Sequence, residues 1–133
     1  MKFKCNSDGA KYFLVGLSSE PDINSYTRAS VEFGFWCYNG NRYWVWESDE
    51  AGDYVTANPL FDSMDADTEE LKIVVNQQTN QMEYYVANVL IYTSSKSISY
   101  PLGFHANLEY SDTLVKDIAW VYADENSGKF ALN

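Results

Sequence analysis

The sequence is poor in positive charge and in long apolar runs. Its 133 residues include 19 acidic and 9 basic side chains, which gives a net charge of -10. Proteins grip nucleic-acid backbones through clustered lysine and arginine, so this balance argues against nucleic acid as a partner. It also disfavours an anionic membrane surface, and no apolar run approaches the ~18 residues that cross a bilayer. We therefore expect neither nucleic acid nor a membrane among its partners.

Cysteine is scarce, and an apolar leader is missing from the start of the sequence. Cys5 and Cys37 have neither the spacing of a redox CxxC motif nor that of a zinc knuckle, so a disulfide and two reduced thiols both fit. The first residues, MKFKCNSDGAKYF, lack the apolar h-region of a secretory signal. The chain is therefore either cytoplasmic or a mature or excised domain, trimmed from a larger protein.

Aromatic residues are abundant, with 11 Tyr, 7 Phe and 4 Trp. They occur in short apolar patterns of period two, which favour strands, and no window has a long helical stripe. Separated by turn-forming clusters, the predicted strands are 2–5, 11–18, 29–38, 42–48, 54–57, 71–76, 81–87, 89–94, 101–110 and 114–123. The pattern predicts a single all-β domain over 1–133, an antiparallel sandwich or barrel with little or no helix. Residues 58–70 are the one place for a short helix.

The dipeptide Asn39-Gly40 lies between two alternating runs and predicts a two-residue hairpin turn. In this register one face is nearly all apolar and forms the core face: Val31, Phe33, Phe35, Cys37, Trp44 and Trp46. The opposite face combines rings with carboxylates: Glu32, Gly34, Trp36, Tyr38, Tyr43, Val45 and Glu47. A three-residue connection would reverse the assignment and turn Trp44 and Trp46 outward, because side chains alternate along a strand.

The mixed face of this hairpin is the candidate ligand surface. Planar rings stack on the apolar C–H face of a sugar, and carboxylates bond its hydroxyls. The candidate ligand-binding residues are therefore Trp36, Tyr38, Tyr43, Glu32 and Glu47. The alternative is that these rings cover the outer sheet or pack beneath a loop.

A run of acids, DSMDADTEE at residues 62–70, is the candidate metal site. Asp62, Asp65 and Asp67 offer carboxylate oxygens of the kind that calcium prefers. The run is not an EF-hand, because no glycine follows and no glutamate stands at the final position of the loop. A solvated loop or short helix with acids in its first turn is the alternative.

The segment ELKIVVNQQTNQMEYYVANVLIYTSSKSISYPLGFHANL, residues 70–108, alternates strands with a polar turn and a tight turn. Together with FLVGLSS (13–19), VEFGFWCYNG (31–40), VWES (45–48) and YPL (100–102), it resembles concanavalin A-like and laminin-G-like domains of bacterial extracellular proteins. The resemblance implies a jelly-roll β-sandwich, an extracellular or cell-surface location and calcium near a loop rim. The chain departs from the family at Ala87-Asn88, where relatives have Asn-Gly. Relatives usually have further strands before the region that matches KFKC, so we expect either a trimmed domain or that strand 114–123 fills this place.

Domains of this family typically bind carbohydrate or act in adhesion, and some are glycosidases. A retaining glycosidase needs two carboxyls facing each other ~5 to 5.5 Å apart. Glycosidases of this family often carry Glu-x-Asp followed by a second glutamate on the same strand. Glu47-Ser48-Asp49 matches the first part, but Ala51 and Gly52 stand where the second acid is needed. Glu50 cannot replace it, because neighbouring residues point to opposite faces of a strand.

The single histidine, His105, alternates with Gly103 and Asn107 on the face opposite Phe104 and Ala106. No serine or cysteine nucleophile accompanies it in the sequence nearby, so triad chemistry is not supported. We expect a non-enzymatic binding module for carbohydrate or a surface protein. The alternative is a structural subunit that binds another protein chain, and a glycosidase-like enzyme ranks last. The sequence does not specify the oligomeric state.

Overall fold

A computed structural model describes residues 1–5, 13–19, 31–38, 42–48, 54–62, 70–108, 115–119, 121–123 and 130–132. The strands in these ranges are β1 (Lys2–Cys5), β2 (Phe13–Ser18), β3 (Phe33–Tyr38), β4 (Arg42–Ser48), β5 (Tyr54–Asp62), β6 (Leu71–Asn76), β7 (Gln81–Val86), β8 (Val89–Thr93), β9 (Gly103–Leu108), β10 (Val115–Ala119), β11 (Val121–Ala123) and β12 (Phe130–Leu132). The prediction of an all-β protein is confirmed for these residues, and none of them forms a helix that could span a membrane.

The strands form two five-stranded antiparallel sheets and a two-stranded ribbon. Sheet I has the order β10-β1-β6-β7-β8, sheet II has the order β5-β4-β3-β2-β9, and β11 pairs with β12. The chain passes from sheet I to sheet II after β1 and returns after β5. It crosses again before and after β9. As a result β1 lies between β10 and β6, and β2 lies between β3 and β9.

The two sheets share one apolar core. Sheet I contributes Phe3, Leu71, Ile73, Met82, Tyr84 and Val86. Sheet II contributes Phe13, Val15, Leu17, Phe33, Phe35 and Val45. The ring of Phe35 meets Tyr84 edge to face, with centroids 5.6 Å apart, and Phe3 lies 6.3 Å from Phe35. Burial of these side chains stabilises the fold by ~25 cal/mol for each Å² removed from water, so the core holds the two sheets together.

The predicted strands agree best with the structure where alternation is strong. β1, β4 and β6 have the predicted bounds. The stretch 58–70 was the one place open to a short helix, but 58–62 form the second half of β5, and 63–69 lie outside the described residues. The predicted strand 114–123 is divided into β10 and β11, and β12 has no counterpart in the prediction.

The register between β3 and β4 differs from the predicted one. Trp36 pairs with Trp44, and Gly34 pairs with Trp46. Tyr38 and Arg42 form the last pair, so three residues connect the strands where the sequence predicted two. The predicted face assignment is therefore wrong for β4.

Packing in the core accounts for this register. Val45 pairs with Phe35 and is fully buried in the core cluster that also contains Tyr84. In the predicted register an indole from β4 would occupy this space, which already holds several aromatic rings. Close-packed interiors tolerate such overfilling poorly, and a valine fits without displacing its neighbours. The tryptophans of β4 consequently lie on the other face of sheet II.

The turn between β7 and β8 contains two residues with positive φ. Ala87 has φ 48° and Asn88 has φ 64°, the combination that a type I′ hairpin turn requires. Alanine adopts this region at a cost of roughly 1–2 kcal/mol, so the departure from Asn-Gly at these positions leaves another turn type open on sequence grounds. The chain nevertheless has positive φ at both residues, and strain at Ala87 is the consequence.

Replacing Ala87 with glycine should stabilise the protein. Glycine adopts positive φ freely, so Ala87→Gly relieves the strain and should raise the free energy of unfolding by roughly 0.5–1 kcal/mol, after its larger unfolded-state entropy is subtracted. Urea unfolding measures this difference. Ala106→Gly in β9 is the matched control: Ala106 lacks a positive φ and packs against the core, so its replacement should lower stability. Equal losses at both positions would contradict the strain at Ala87.

Candidate functional site

Three tryptophans pack together on the outer face of sheet II. The ring centroids of Trp36 and Trp44 are 5.2 Å apart with an interplanar angle of 32°. Trp46 meets Trp36 nearly edge to face, at 5.7 Å and 73°. Trp46 is fully buried, whereas Trp36 and Trp44 are half-buried. We call the pair Trp36 and Trp44 the tryptophan platform, because these two indoles remain partly accessible above a buried one.

A second, smaller apolar cluster packs against Trp36 of the platform. It consists of Leu14, Val31 and Trp46, with Trp36 packed against it. The indole N–H of Trp46 donates a hydrogen bond of 3.0 Å to the carbonyl oxygen of Val31. A buried indole nitrogen needs such a partner, and this bond also fixes the orientation of the ring. Trp36 therefore packs against a buried indole that is held by a hydrogen bond.

Two glycines make room for this cluster. Gly16 and Gly34 pair directly across β2 and β3. A Cβ atom on Gly34 would lie 2.9 Å from Cγ1 of Val31 and 2.7 Å from the carbonyl oxygen of Val15. A Cβ atom on Gly16 would overlap the carbonyl oxygen of Phe33. Glycine is therefore required at both positions by the close approach of backbone and side chains.

Two polar side chains border this face of the sheet. His105 pairs with Gly16 and lies on the outer face, while Phe104 and Ala106 pack against the core, as the alternation predicted. The carboxylate of Glu32 accepts a hydrogen bond of 2.6 Å from the backbone N–H of Ser19. Glu32 thereby joins the end of β2 to the residue before β3.

The structure divides the predicted ligand residues between the two faces of sheet II. Trp36 lies on the outer face as predicted, and the register places Tyr38 on the same face. Tyr43 pairs with Cys37 and so occupies a core-facing position, and the side chains of both tyrosines and of Cys5 and Cys37 lie outside the described part. The predicted outer position of Glu47 is wrong, because its side chain is buried between the sheets. Trp44, assigned to the core, belongs to the platform.

The buried carboxylate of Glu47 is surrounded by polar groups from sheet I. Glu47 is only 5% exposed and accepts a hydrogen bond of 3.1 Å from the hydroxyl of Tyr84. The hydroxyl of Ser94 forms a second hydrogen bond, and the ammonium of Lys96 provides a nearby positive charge. Lys96 also donates to the carbonyl oxygen of Ser48 and lies over the ring of Phe33, 4.9 Å from its centroid. These contacts connect β4 to β7 and to the residues after β8.

Burial raises the pKa of Glu47, although the hydrogen bonds from Ser94 and Tyr84 and the charge of Lys96 oppose the increase. Burial also raises the pKa of Tyr84 well above its ordinary value, and the neighbouring Glu47 adds to this effect. Tyr84 is therefore a neutral hydrogen-bond donor. The arrangement satisfies a carboxylate that would otherwise be costly inside the core.

No group of three metal-binding side chains occurs among the residues that the structure describes. Of the three candidate calcium ligands, Asp62 ends β5, where its backbone pairs with Arg42. Asp65 and Asp67 lie outside the described ranges. The calcium site stays a prediction of the sequence.

The fold and this site define a class: an all-β protein of two antiparallel sheets with a tryptophan cluster on one outer face. No protein-family model matches the chain, and neither a curated protein nor a solved structure matches it. Functional inference therefore rests on the geometry of the site.

Glu47→Gln should make the free energy of unfolding less dependent on pH. Because the pKa of Glu47 is raised, the folded protein binds this proton more readily than the unfolded chain does. The contribution of Glu47 to the free energy of unfolding consequently falls as the pH rises from the ordinary glutamate pKa through the raised value. Glutamine does not ionise, so its stability relative to wild type should improve across this window. Urea unfolding at several pH values between about 4 and 8 measures the difference.

Tyr84→Phe is the companion variant, because it removes a hydrogen bond that lowers the pKa of Glu47. Its loss of stability with rising pH should extend to a higher pH than in wild type. Parallel pH profiles for wild type and Glu47→Gln would contradict an influence of this carboxylate on stability.

Proposed function

We propose that the protein is a non-enzymatic carbohydrate-binding module that uses the tryptophan platform of sheet II. The observation that carries the proposal is the adjacent pair of half-buried indoles, Trp36 and Trp44, the first of which packs against a buried cluster. A sugar ring has an apolar C–H face that packs on an aromatic ring and hydroxyls that need polar partners at its rim. Rings fixed by packing lose little conformational entropy when a ligand binds.

The geometry favours a flat ligand over an enclosed one. The platform lies on a sheet face between β3 and β4, and the two indole planes are tilted by 32°, so a short stretch of a glycan chain could contact both. Tyr38 occupies the next outer position along β3. Polar groups close to the platform would form hydrogen bonds with the hydroxyls at the edge of the sugar. Because these hydroxyls are neutral, they need no charged partner.

The arrangement of the sheets supports a finer proposal about the fold. Two five-stranded antiparallel sheets with a shared core and four crossings between them suit a jelly-roll sandwich of the concanavalin A-like kind. We propose this fold together with the extracellular or cell-surface location that the resemblance implies. Binding of surface glycans or adhesion would be consistent with both. If no glycan binds, the preferred function becomes that of a structural subunit that binds another protein chain.

Trp36→Ala and Trp44→Ala should each weaken glycan binding by about tenfold or more, equivalent to ~1.4 kcal/mol of lost ring contact. A glycan array probed with wild-type protein in calcium and in EDTA identifies the ligand, and calorimetric titration measures the affinity of each variant. Trp36→Phe should retain part of the affinity, because it keeps an aromatic ring at the position.

Tyr85→Ala is the matched control, because Tyr85 is a half-buried aromatic residue whose ring contacts Lys72 in sheet I, away from the platform. This variant should bind with wild-type affinity. Near-ultraviolet circular dichroism and the melting temperature verify that each variant is folded. The proposal fails if wild type binds no glycan, or if folded Trp36→Ala and Trp44→Ala both keep full affinity.

A further inference from the structure

Strand β8 (Val89–Thr93) forms an exposed, apolar edge of sheet I. It is the last strand in the order of that sheet, and no further strand pairs with it in the described part of the chain. Val89 is 63% exposed and Leu90 is 48% exposed. The free side of an edge strand presents backbone N–H and C=O groups that can pair with another strand.

The sequence around β8 contains nothing that would prevent such pairing by charge. Between Glu83 and Lys96 the residues are YYVANVLIYTSS, without a charged residue, a proline or a glycine. β-Branched and aromatic residues of this kind pair readily as strands. The apolar side chains of Val89 and Leu90 would leave water when a partner strand is added.

The other sheet edges contain protective features that β8 lacks. β10 contains Lys116 and Asp117, and the positive φ of Asp117, 56°, accompanies a register shift against β1. β5 contains Pro59 and a register shift against β4. β9 begins at Gly103, shortly after Pro101. Charge, proline and bulges are the usual means of keeping edges unpaired, and β8 has only a register shift against β7.

We propose that β8 pairs antiparallel with β8 of a second copy of this chain, which makes the protein a two-fold symmetric dimer. Each copy has a net charge of -10, so two copies repel each other at long range. Self-association is then most favourable where the contact itself carries no charge, and β8 is the uncharged edge. A two-fold axis sets the same strand against itself and uses both edges, so assembly stops at two copies.

The dimer is independent of the proposed carbohydrate site, because the tryptophan platform is on sheet II and β8 is in sheet I. Pairing through β8 leaves a platform on each copy. A dimer of this kind would present two platforms, and two linked sites bind a multivalent surface more tightly than one site does.

Leu90→Lys and Val89→Lys should each weaken the dimer by about tenfold or more, because they place charge at an apolar seam. Both positions are exposed, so neither change disturbs the core. Sedimentation velocity over a concentration series up to millimolar protein measures the monomer–dimer equilibrium. Ile118→Lys is the matched control: Ile118 is 44% exposed on β10, at the opposite edge of sheet I, and this variant should dimerise like wild type.

Hydrogen exchange locates the contact. The backbone amides of residues 89–93 should gain protection as wild-type concentration rises, and Leu90→Lys should abolish this gain. A wild type that stays monomeric throughout the series overturns the proposal, as does a dimer that Ile118→Lys breaks and Leu90→Lys does not. A monomeric wild type that also fails to bind a synthetic VLIYT peptide, which copies β8, overturns it by leaving the edge to a strand of a different chain. The affinity of Leu90→Lys for a soluble monovalent glycan tests the platform separately.

Discussion

The pairing of Trp36 with Trp44 across β3 and β4 determines what both faces of sheet II contain. Side chains alternate along a strand, so one register directs all members of a set to one side. Here the tryptophans of β4 face outward together, and Val45 faces the core. A shift of one residue would exchange the two sets, remove the tryptophan cluster from the surface and force two indoles between the sheets. The core and the candidate site are thus specified by the same backbone hydrogen bonds.

The same register also places Glu47 inside the protein, where an acid is costly. The cost is offset by groups from β7 and from the residues after β8: the hydroxyl of Tyr84, the hydroxyl of Ser94 and the charge of Lys96. Breaking one member of a buried ionic network costs more than replacing the whole network with apolar residues, because a charge is left without compensation. A shift of β4 against β7 would leave the carboxylate of Glu47 without these partners, so the network favours the observed arrangement.

Much of the fold follows from local patterns in the sequence, whereas the site depends on tertiary packing. Alternation and turn residues predicted most strands, including the exact bounds of β1, β4 and β6. The Asn39-Gly40 turn signal is local too, but here the packing of Val45 in the core overrides it. The predicted strand 54–57 stopped short of Pro59, but β5 is an edge strand and accommodates proline beside a register shift. The turn signal alone therefore assigned the side chains of β4 to the wrong faces of the sheet, including those of Glu47 and Trp44.

The distribution of charge helps to explain how an acidic protein can keep apolar surfaces accessible. A net charge of -10 opposes non-specific association, so half-buried rings and an exposed apolar edge carry less risk of aggregation than they would on a neutral protein. The same charge limits which ligands can approach: a polyanion is repelled, while a neutral polyol is not. Indoles bind such a ligand through shape and apolar contact, without needing a countercharge. Binding at the proposed tryptophan platform or at the uncharged strand β8 would therefore not work against the overall charge of the chain.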